Sequence, residues 1–176
     1  MKKDKELAIA ISLAAQHHID QTDKGGNVYI LHPLEVMNTL ASRGDYHLMA
    51  AGVLHDILED CPVTEQDLLD AGISIKTVRT VKKVTKVKGQ KSRDYLLGIL
   101  YDINASKVKL ADLKHNLDLL RVREIDEKAV KRIKKYVDMY TVIEQSIAWQ
   151  QKNFEDSDSY YAARDEYLEG LSKILK

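Results

Sequence analysis

Apolar residues recur three and four positions apart along almost the whole chain, and nowhere do they alternate with polar ones over a strand's length. Each such run gives a helix one apolar stripe, which has to be buried against another element. Leu7, Ile11, Ala14 and Ala15 mark a first helix. Pro33 suits the first turn of a second, Leu34 to about Ala41, where a missing N–H costs nothing. A third helix is expected over about Tyr46 to Glu59. Thr64 caps a fourth, and Gly72 lies just past its end. "SIKTVRTVKKVT" is rich in β-branched residues, but Val78, Val81 and Val84 keep helical spacing. Ser92 starts another helix, and Asn104 or Ser106 caps the next. Asp126 opens a long helix to about Gln150. "NFEDSDS" reads as a polar loop, before a last helix from about Tyr160 to Leu175. Two prolines, eight glycines and no Pro- or Ser-rich linker leave nothing that divides the chain or repeats within it. The fold class is all-α: a compact single-domain helical bundle over residues 1–176, long enough to hide about two-thirds of its unfolded surface.

Charge and composition narrow the function. With 27 basic and 27 acidic residues the formal net charge is zero, which gives no electrostatic case for wholesale nucleic-acid binding. The only cysteine, Cys61, cannot form an intramolecular disulfide and fits a reducing compartment. The N-terminal stretch is interrupted by polar residues and runs into histidines, so it reads as a helix of the mature domain rather than a signal peptide. No stretch approaches the roughly 18 apolar residues that a spanning helix needs. The expected setting is the cytoplasm.

Against this background "VLHDILED", residues 53–60, is anomalous. It follows "MAAGVL", apolar on almost every side, so ionisable groups enter a run that looks like an interior. A buried charge is costly unless it is paired or binds a metal. Acids at a helix C-terminus also oppose the macrodipole, which disfavours a merely solvated helix end. "VKLADLKHNLDLL" repeats the anomaly: Asp112 interrupts an apolar stripe, and Asn116 lies one turn further on the same face. His32 in "YILHP" is a third element. Alone, Asp112 would pair with a nearby lysine, and His32 would be a loop or capping residue. Together His32, His55, Asp56 and Asp112 make a metal set of two imidazoles and two carboxylates. That set suits a borderline divalent ion such as Mn²⁺, Fe²⁺ or Zn²⁺ and leaves positions open for water and substrate.

These elements, in this order and spacing, resemble the HD-domain phosphohydrolases. More closely they resemble the hydrolase domain of RelA/SpoT-type enzymes and the small alarmone hydrolases. The likeness spans roughly residues 5–122 and includes His18, Gln21, Lys24, Gly26 and Tyr29. It implies an α-helical bundle around a divalent metal, most often Mn²⁺, held by His32, His55, Asp56 and Asp112. Glu59 and Asp60 match the pair that positions or activates the attacking water, and Asn116 matches a contact to the nucleotide sugar. The implied reaction is removal of the 3′-pyrophosphate of guanosine tetra- or pentaphosphate. Lys24 and Lys91, with Arg93, are candidates to hold the distal phosphates, although a solvated face explains Lys91 and Arg93 equally well. The implied partner is a small-molecule nucleotide, with neither nucleic acid nor membrane. No synthetase domain is expected, since the chain ends soon after the hydrolase region.

Three positions depart from the family's pattern. Asp23 stands where an arginine packs on the guanine base, Leu119 where a threonine lies near the base, and Leu113 where an arginine follows the aspartate. The reaction type is thus better supported than the base. An adenosine analogue of the alarmone, the 2′-phosphate of NADPH or a nucleoside monophosphate remain alternative substrates. A non-catalytic nucleotide sensor has no need of Glu59 and Asp60. A nucleic-acid-binding protein would rest only on the basic run at 82–93. His17, His47 and His115 read as surface or packing histidines, and Cys61 as a small buried residue. Tyr136, Tyr140, Tyr160, Tyr161, Tyr167 and Trp149 read as packing for the C-terminal helices or a homo-oligomer contact.

Overall fold

The computed structural model describes residues 3–41, 45–121, 124–153 and 158–174. Among these, ten α-helices follow one another: α1 Lys3–His17, α2 Leu31–Ala41, α3 Tyr46–Val53, α4 Ile57–Asp60, α5 Glu65–Asp70, α6 Ile75–Val84, α7 Ser92–Leu100, α8 Ile103–Asn116, α9 Glu127–Asn153 and α10 Asp158–Ile174. A single 3₁₀ turn, Leu119–Arg121, follows α8. The described residues contain no strand, only an isolated antiparallel bridge between Thr22 and Val28. The expected all-α class is what the chain adopts.

α3 sits at the centre, packed on α1, α2, α6 and α8. Its sequence explains this: Leu48, Ala50, Ala51, Gly52 and Val53 are all buried, so the helix presents apolar surface in every direction. Small residues let the neighbouring backbone come close. The Cα of Met37 on α2 lies 3.5 Å from where a Cβ on Gly52 would stand. α8 packs on α2, α3, α6, α7 and α9, which brings its Asp112 face to the middle of the bundle.

Local signals account for most boundaries. Thr64 and Asp67 form a reciprocal capping box at the start of α5, and Gly72 follows its end with φ of 97°. Asp126 Oδ1 accepts the Ala129 N–H at 2.7 Å and caps α9 as expected. Other boundaries differ from the sequence reading. α8 is capped by Asp102, whose Oδ1 accepts from the Asn104 and Ala105 N–H groups. Ser106 instead turns inward and donates to the Ile99 carbonyl at 2.9 Å, tying α8 to α7. α2 starts at Leu31, α9 runs to Asn153, and α10 starts at Asp158; residues 154–157 of the "NFEDSDS" stretch lie outside the described residues.

The largest difference lies in the stretch that looked anomalous. The expected helix over Tyr46–Glu59 stops at Val53, and a new turn, α4, begins at Ile57. Leu54 (φ −101°, ψ 2°) and Asp56 (φ −100°, ψ −4°) both occupy the bridge region between helix and strand conformations. On a continuous helix, adjacent side chains diverge by about 100°. The break lets His55 and Asp56 face the same point.

Candidate metal centre

Three elements converge at that point. α2 supplies His32, the α3–α4 turn supplies His55 and Asp56, and α8 supplies Asp112. The ligand atoms of His32, His55 and Asp56 lie within 4.8 Å of one another. His55 Nε2 is 2.8 Å from Asp56 Oδ2 and 3.6 Å from Asp112 Oδ1. His32 Nε2 is 3.2 Å from Asp112 Oδ1 and 3.7 Å from Asp56 Oδ2. The sequence-derived set of four thus shares one centre.

The protonation pattern suits a cation there. His55 Nδ1–H donates to the Gly52 carbonyl at 2.8 Å, so its Nε2 turns a lone pair toward the two carboxylates. Among the described residues this buried Nε2 has no hydrogen-bond partner. Two carboxylates and two imidazole nitrogens facing one another are short of a positive charge. Without an ion a proton has to supply it: burial pushes the His55 imidazole down, but Asp56 and Asp112 together lift it to about 10. Burial likewise favours neutral Asp56, yet His55 pulls its carboxyl down to about 2. A divalent ion would take the proton's place, and the donor set fits it.

Around this centre the chain places further polar groups, of which Tyr29 and Asn116 were named from the sequence and Lys109 was foreseen only as an unspecified lysine beside Asp112. Tyr29 donates to Asp56 Oδ2 at 2.5 Å, and its hydroxyl lies 3.4 Å from Asp60 Oδ2. Lys109 Nζ donates to Asp112 Oδ2 at 2.7 Å, and it also lies over the Tyr95 ring. Burial would lower the Lys109 ammonium, but Asp112 and the electron-rich Tyr95 hold it well above its ordinary range. Asn116 Nδ2 donates to Asp112 Oδ1 at 2.5 Å. Lys109 lies three residues before Asp112, a spacing visible in the sequence once Asp112 is known to face inward.

The centre forms one wall of an open cavity of about 760 Å³. Glu59 and Asp60 line it beside Asp56, as do Lys24 and Asn116. Glu59 Oε2 accepts the Lys86 N–H at 3.0 Å. Burial, then the charge on Asp56, raises the Asp60 carboxyl above its ordinary value. Lys91 is not brought in: it is exposed at the N-terminus of α7 and does not line the cavity. Part of the lining comes from beyond residue 122, a region expected only to pack or to form an oligomer contact. Lys128, Arg132 and Tyr136 of α9 face the cavity. Tyr136 is therefore more than packing. Trp149 and Tyr167, stacked with centroids 4.5 Å apart, do join α9 to α10. His115, read as a packing residue, touches His32 directly: the two Nδ1 atoms are 2.7 Å apart.

A model of the HD domain matches residues 10–143. The chain belongs to the HD-domain family. HD-domain hydrolases use divalent metals, and the His-His-Asp cluster is of that kind. Among curated proteins, the chain is similar to the bifunctional (p)ppGpp synthase/hydrolase SpoT of Escherichia coli, 35% identical over 127 residues, covering 66% of this chain and 18% of that protein. It is 39% identical over 124 residues to the guanosine-3′,5′-bis(diphosphate) 3′-pyrophosphohydrolase of Spiroplasma citri, covering 64% and 17%. Its likeness to the enzyme of the same name from Aquifex aeolicus is 30% over 173 residues, covering 93% and 25%. The chain thus spans a quarter or less of the length of these relatives. A solved structure described as a metazoan ortholog of SpoT that hydrolyzes ppGpp has a TM-score of 0.67, with 19% identity, over 84% of this chain and 95% of that one. At that identity the match speaks for the fold. Among the described residues no helix is long and apolar enough to cross a membrane.

Proposed function

We propose that the chain is a divalent-ion-dependent hydrolase that removes the 3′-pyrophosphate of a guanosine 3′,5′-bis(diphosphate) alarmone, with Mn²⁺ as the ion. The observation that carries this reading is the meeting of His32, His55, Asp56 and Asp112 at one point, beside Glu59 and Asp60 in the same cavity. The relatives' names supply the substrate.

The four residues would hold the ion through His32 Nε2, His55 Nε2, Asp56 Oδ2 and Asp112 Oδ1. When bound, the ion supplies Lewis acidity: it acidifies water and offsets charge on phosphoryl oxygens. The chain does the rest. One of Glu59 and Asp60 accepts the proton of the attacking water while the other aims it, and the raised Asp60 carboxyl is the better matched to the acceptor's task. Tyr29 fixes Asp56 and Asp60 relative to each other through one hydroxyl. Lys109 balances Asp112, so that the inner wall does not repel a polyphosphate. Lys24, Lys128 and Arg132, which line the same cavity, suit the two diphosphate groups of such a substrate. Asn116, oriented through Asp112, sits where a sugar hydroxyl could reach it. The setting is the cytoplasm, where such nucleotides are found.

A specific observation favours a second substrate. Asp23, in place of the base-packing arginine, is engaged by Arg121 at 3.1 Å and is not free to meet a base. Leu119, in place of the threonine, is half exposed. Another nucleotide with the same phosphate chemistry, such as an adenosine alarmone, the 2′-phosphate of NADPH or a nucleoside monophosphate, would be read by a different shell. Incubation with a nucleotide panel and Mn²⁺, followed by product identification, decides the matter. Pyrophosphate from the guanosine alarmone is expected. Orthophosphate alone, from any nucleotide, would refute pyrophosphohydrolase chemistry.

A further inference from the structure

Arg121 directly follows the stretch that carries Asp112 and Asn116 and lines the same cavity, and the geometry runs from it to a ligand. Its Nη2 donates to Asp23 Oδ2 at 3.1 Å. Its Nη1 lies 3.2 Å from His115 Nδ1, and 3.3 Å from the His115 carbonyl. His115 Nδ1 lies 2.7 Å from His32 Nδ1. The rings of His32 and His115 are tilted by only 12°, with centroids 5.0 Å apart. Nitrogens 2.7 Å apart leave little more than one ring radius on each side of that separation. The rings therefore lie edge to edge in nearly one plane, as an in-plane N–H···N bond requires, rather than stacked.

Donor chemistry gives the chain of bonds a direction. A guanidinium has only donors, so we assign His115 Nδ1 as the acceptor, its one lone pair shared between Arg121 at 3.2 Å and His32 at 2.7 Å, while Nη1 also donates to the His115 carbonyl. His115 then carries its proton on Nε2, and His32 Nδ1 must be the donor in the short contact. A His32 protonated on Nδ1 turns a bare Nε2 toward Asp56 and Asp112. Arg121 Nη1 is also 3.5 Å from His32 Nδ1, too long to compete with the contact at 3.2 Å. Asp23 holds the guanidinium from its other end and is itself fixed, accepting the Asn27 N–H at 2.9 Å.

We propose that Asp23, Arg121 and His115 are positioning residues for the ion site: a relay that locks His32 in the tautomer whose Nε2 is free to bind metal. The inference rests on the ion-site reading above. It assigns work to Asp23: the carboxylate holds an arginine from the 3₁₀ turn that follows α8.

Nitrogen-15 spectra of the metal-free protein at mildly alkaline pH read the ring protonation, with His32 assigned through His32→Gln. A proton on Nδ1 and a bare Nε2 are expected; a proton on His32 Nε2 overturns the proposal. Titration calorimetry with Mn²⁺ is the second measurement. Arg121→Met should weaken binding about 10- to 100-fold, the usual cost of losing a partner that orients a ligand. The exchange of Asp23→Arg with Arg121→Asp keeps an ion pair on the glycine loop, but puts an acceptor beside His115. It should bind Mn²⁺ as weakly as Arg121→Met. Full affinity in either variant overturns the relay, because Arg121 would then serve at most to anchor the loop. If the unaltered protein takes up no Mn²⁺, the ion-site reading falls, while the nitrogen spectra still decide whether Arg121 sets the tautomer.

Discussion

Gly52 joins the packing of the bundle to the geometry of the metal centre, and replacing it with alanine separates the two. Its carbonyl holds His55 Nδ1, and its bare Cα lets α3 lie against α2, which carries His32. A Cβ at this position would stand 2.6 Å from Leu40 Cδ1, about 0.8 Å inside the 3.4 Å at which ordinary contact begins. Leu40 is only 2% exposed, so its methyl cannot swing into solvent. Two effects compete. Alanine gains about 1 kcal/mol over glycine in a helix interior. Overpacking a filled core costs about 1–3 kcal/mol. The strain should win, leaving Gly52→Ala destabilised by up to about 2 kcal/mol. Leu40→Val withdraws the offending methyl and alone loses about 1 kcal/mol of burial. In that background Gly52→Ala should become neutral or stabilising, a coupling of about 1–3 kcal/mol. Urea unfolding followed by Trp149 fluorescence measures all four proteins, and Mn²⁺ affinity should dip in Gly52→Ala and recover in the double variant. Additivity within about 0.5 kcal/mol would refute the claim that the two residues meet.

Three further outcomes are expected. Glu6, buried in α1, accepts the Ser74 N–H at 2.9 Å and the Thr77 hydroxyl at 2.7 Å, bonds that outweigh the effect of its burial and lower its carboxyl below 4.5. A carboxyl depressed on folding contributes stability that is present above its unfolded value and lost as pH falls through the folded one. The stability advantage of the wild type over Glu6→Gln, measured by urea unfolding, should thus be flat near neutrality and shrink below about pH 4.5; a difference that grows in acid would contradict this. Mn²⁺ at about 100 times its dissociation constant should stabilise the protein by about 2.7 kcal/mol, seen as a rise in Tm of about 5–10 °C, and Asp112→Ala should lose both this shift and hydrolysis. Glu59→Gln should keep the thermal shift but lose turnover by about 100-fold or more, and normal turnover would remove Glu59 from the proposed chemistry.

How much of this was legible depended on how local each signal was. Helical periodicity and single-residue caps act within a turn or two, so Thr64, Gly72 and Asp126 could be read directly. The convergence of His32, His55, Asp56 and Asp112 was also legible, because a charge in an apolar run is conspicuous wherever its partners lie. Asp102 was missed as the cap of α8 because Asn104 and Ser106 are also cap-forming types, and only the inward turn of Ser106 toward Ile99 decides between them. The break at Leu54–Asp56 was illegible for a different reason: the nearby Gly52 lies inside α3 without a positive φ, no proline is adjacent, and the apolar run continues up to it. What breaks the helix is the site itself, since His55 and Asp56 cannot both reach His32 and Asp112 from a regular helix.

The same reasoning explains why the outer residues escaped notice. Lys109, His115 and Arg121 sit on or just after α8, and on a sequence they look like ordinary helix-surface polar groups. His115 and Arg121 depend on partners 83 and 98 positions away, since His115 meets His32 and Arg121 meets Asp23, while Lys109 pairs with Asp112 only three residues on, a pairing that matters once Asp112 faces the interior. Asp23 carried the available clue. A carboxylate beside a site for a polyanion adds repulsion, unless the fold brings a cation to it. The chain has such a cation in Arg121, and the pair is what the proposed support of His32 starts from. Substitutions at Asp23 should accordingly act on metal affinity as well as on substrate choice, which a residue serving only to read the base could not do.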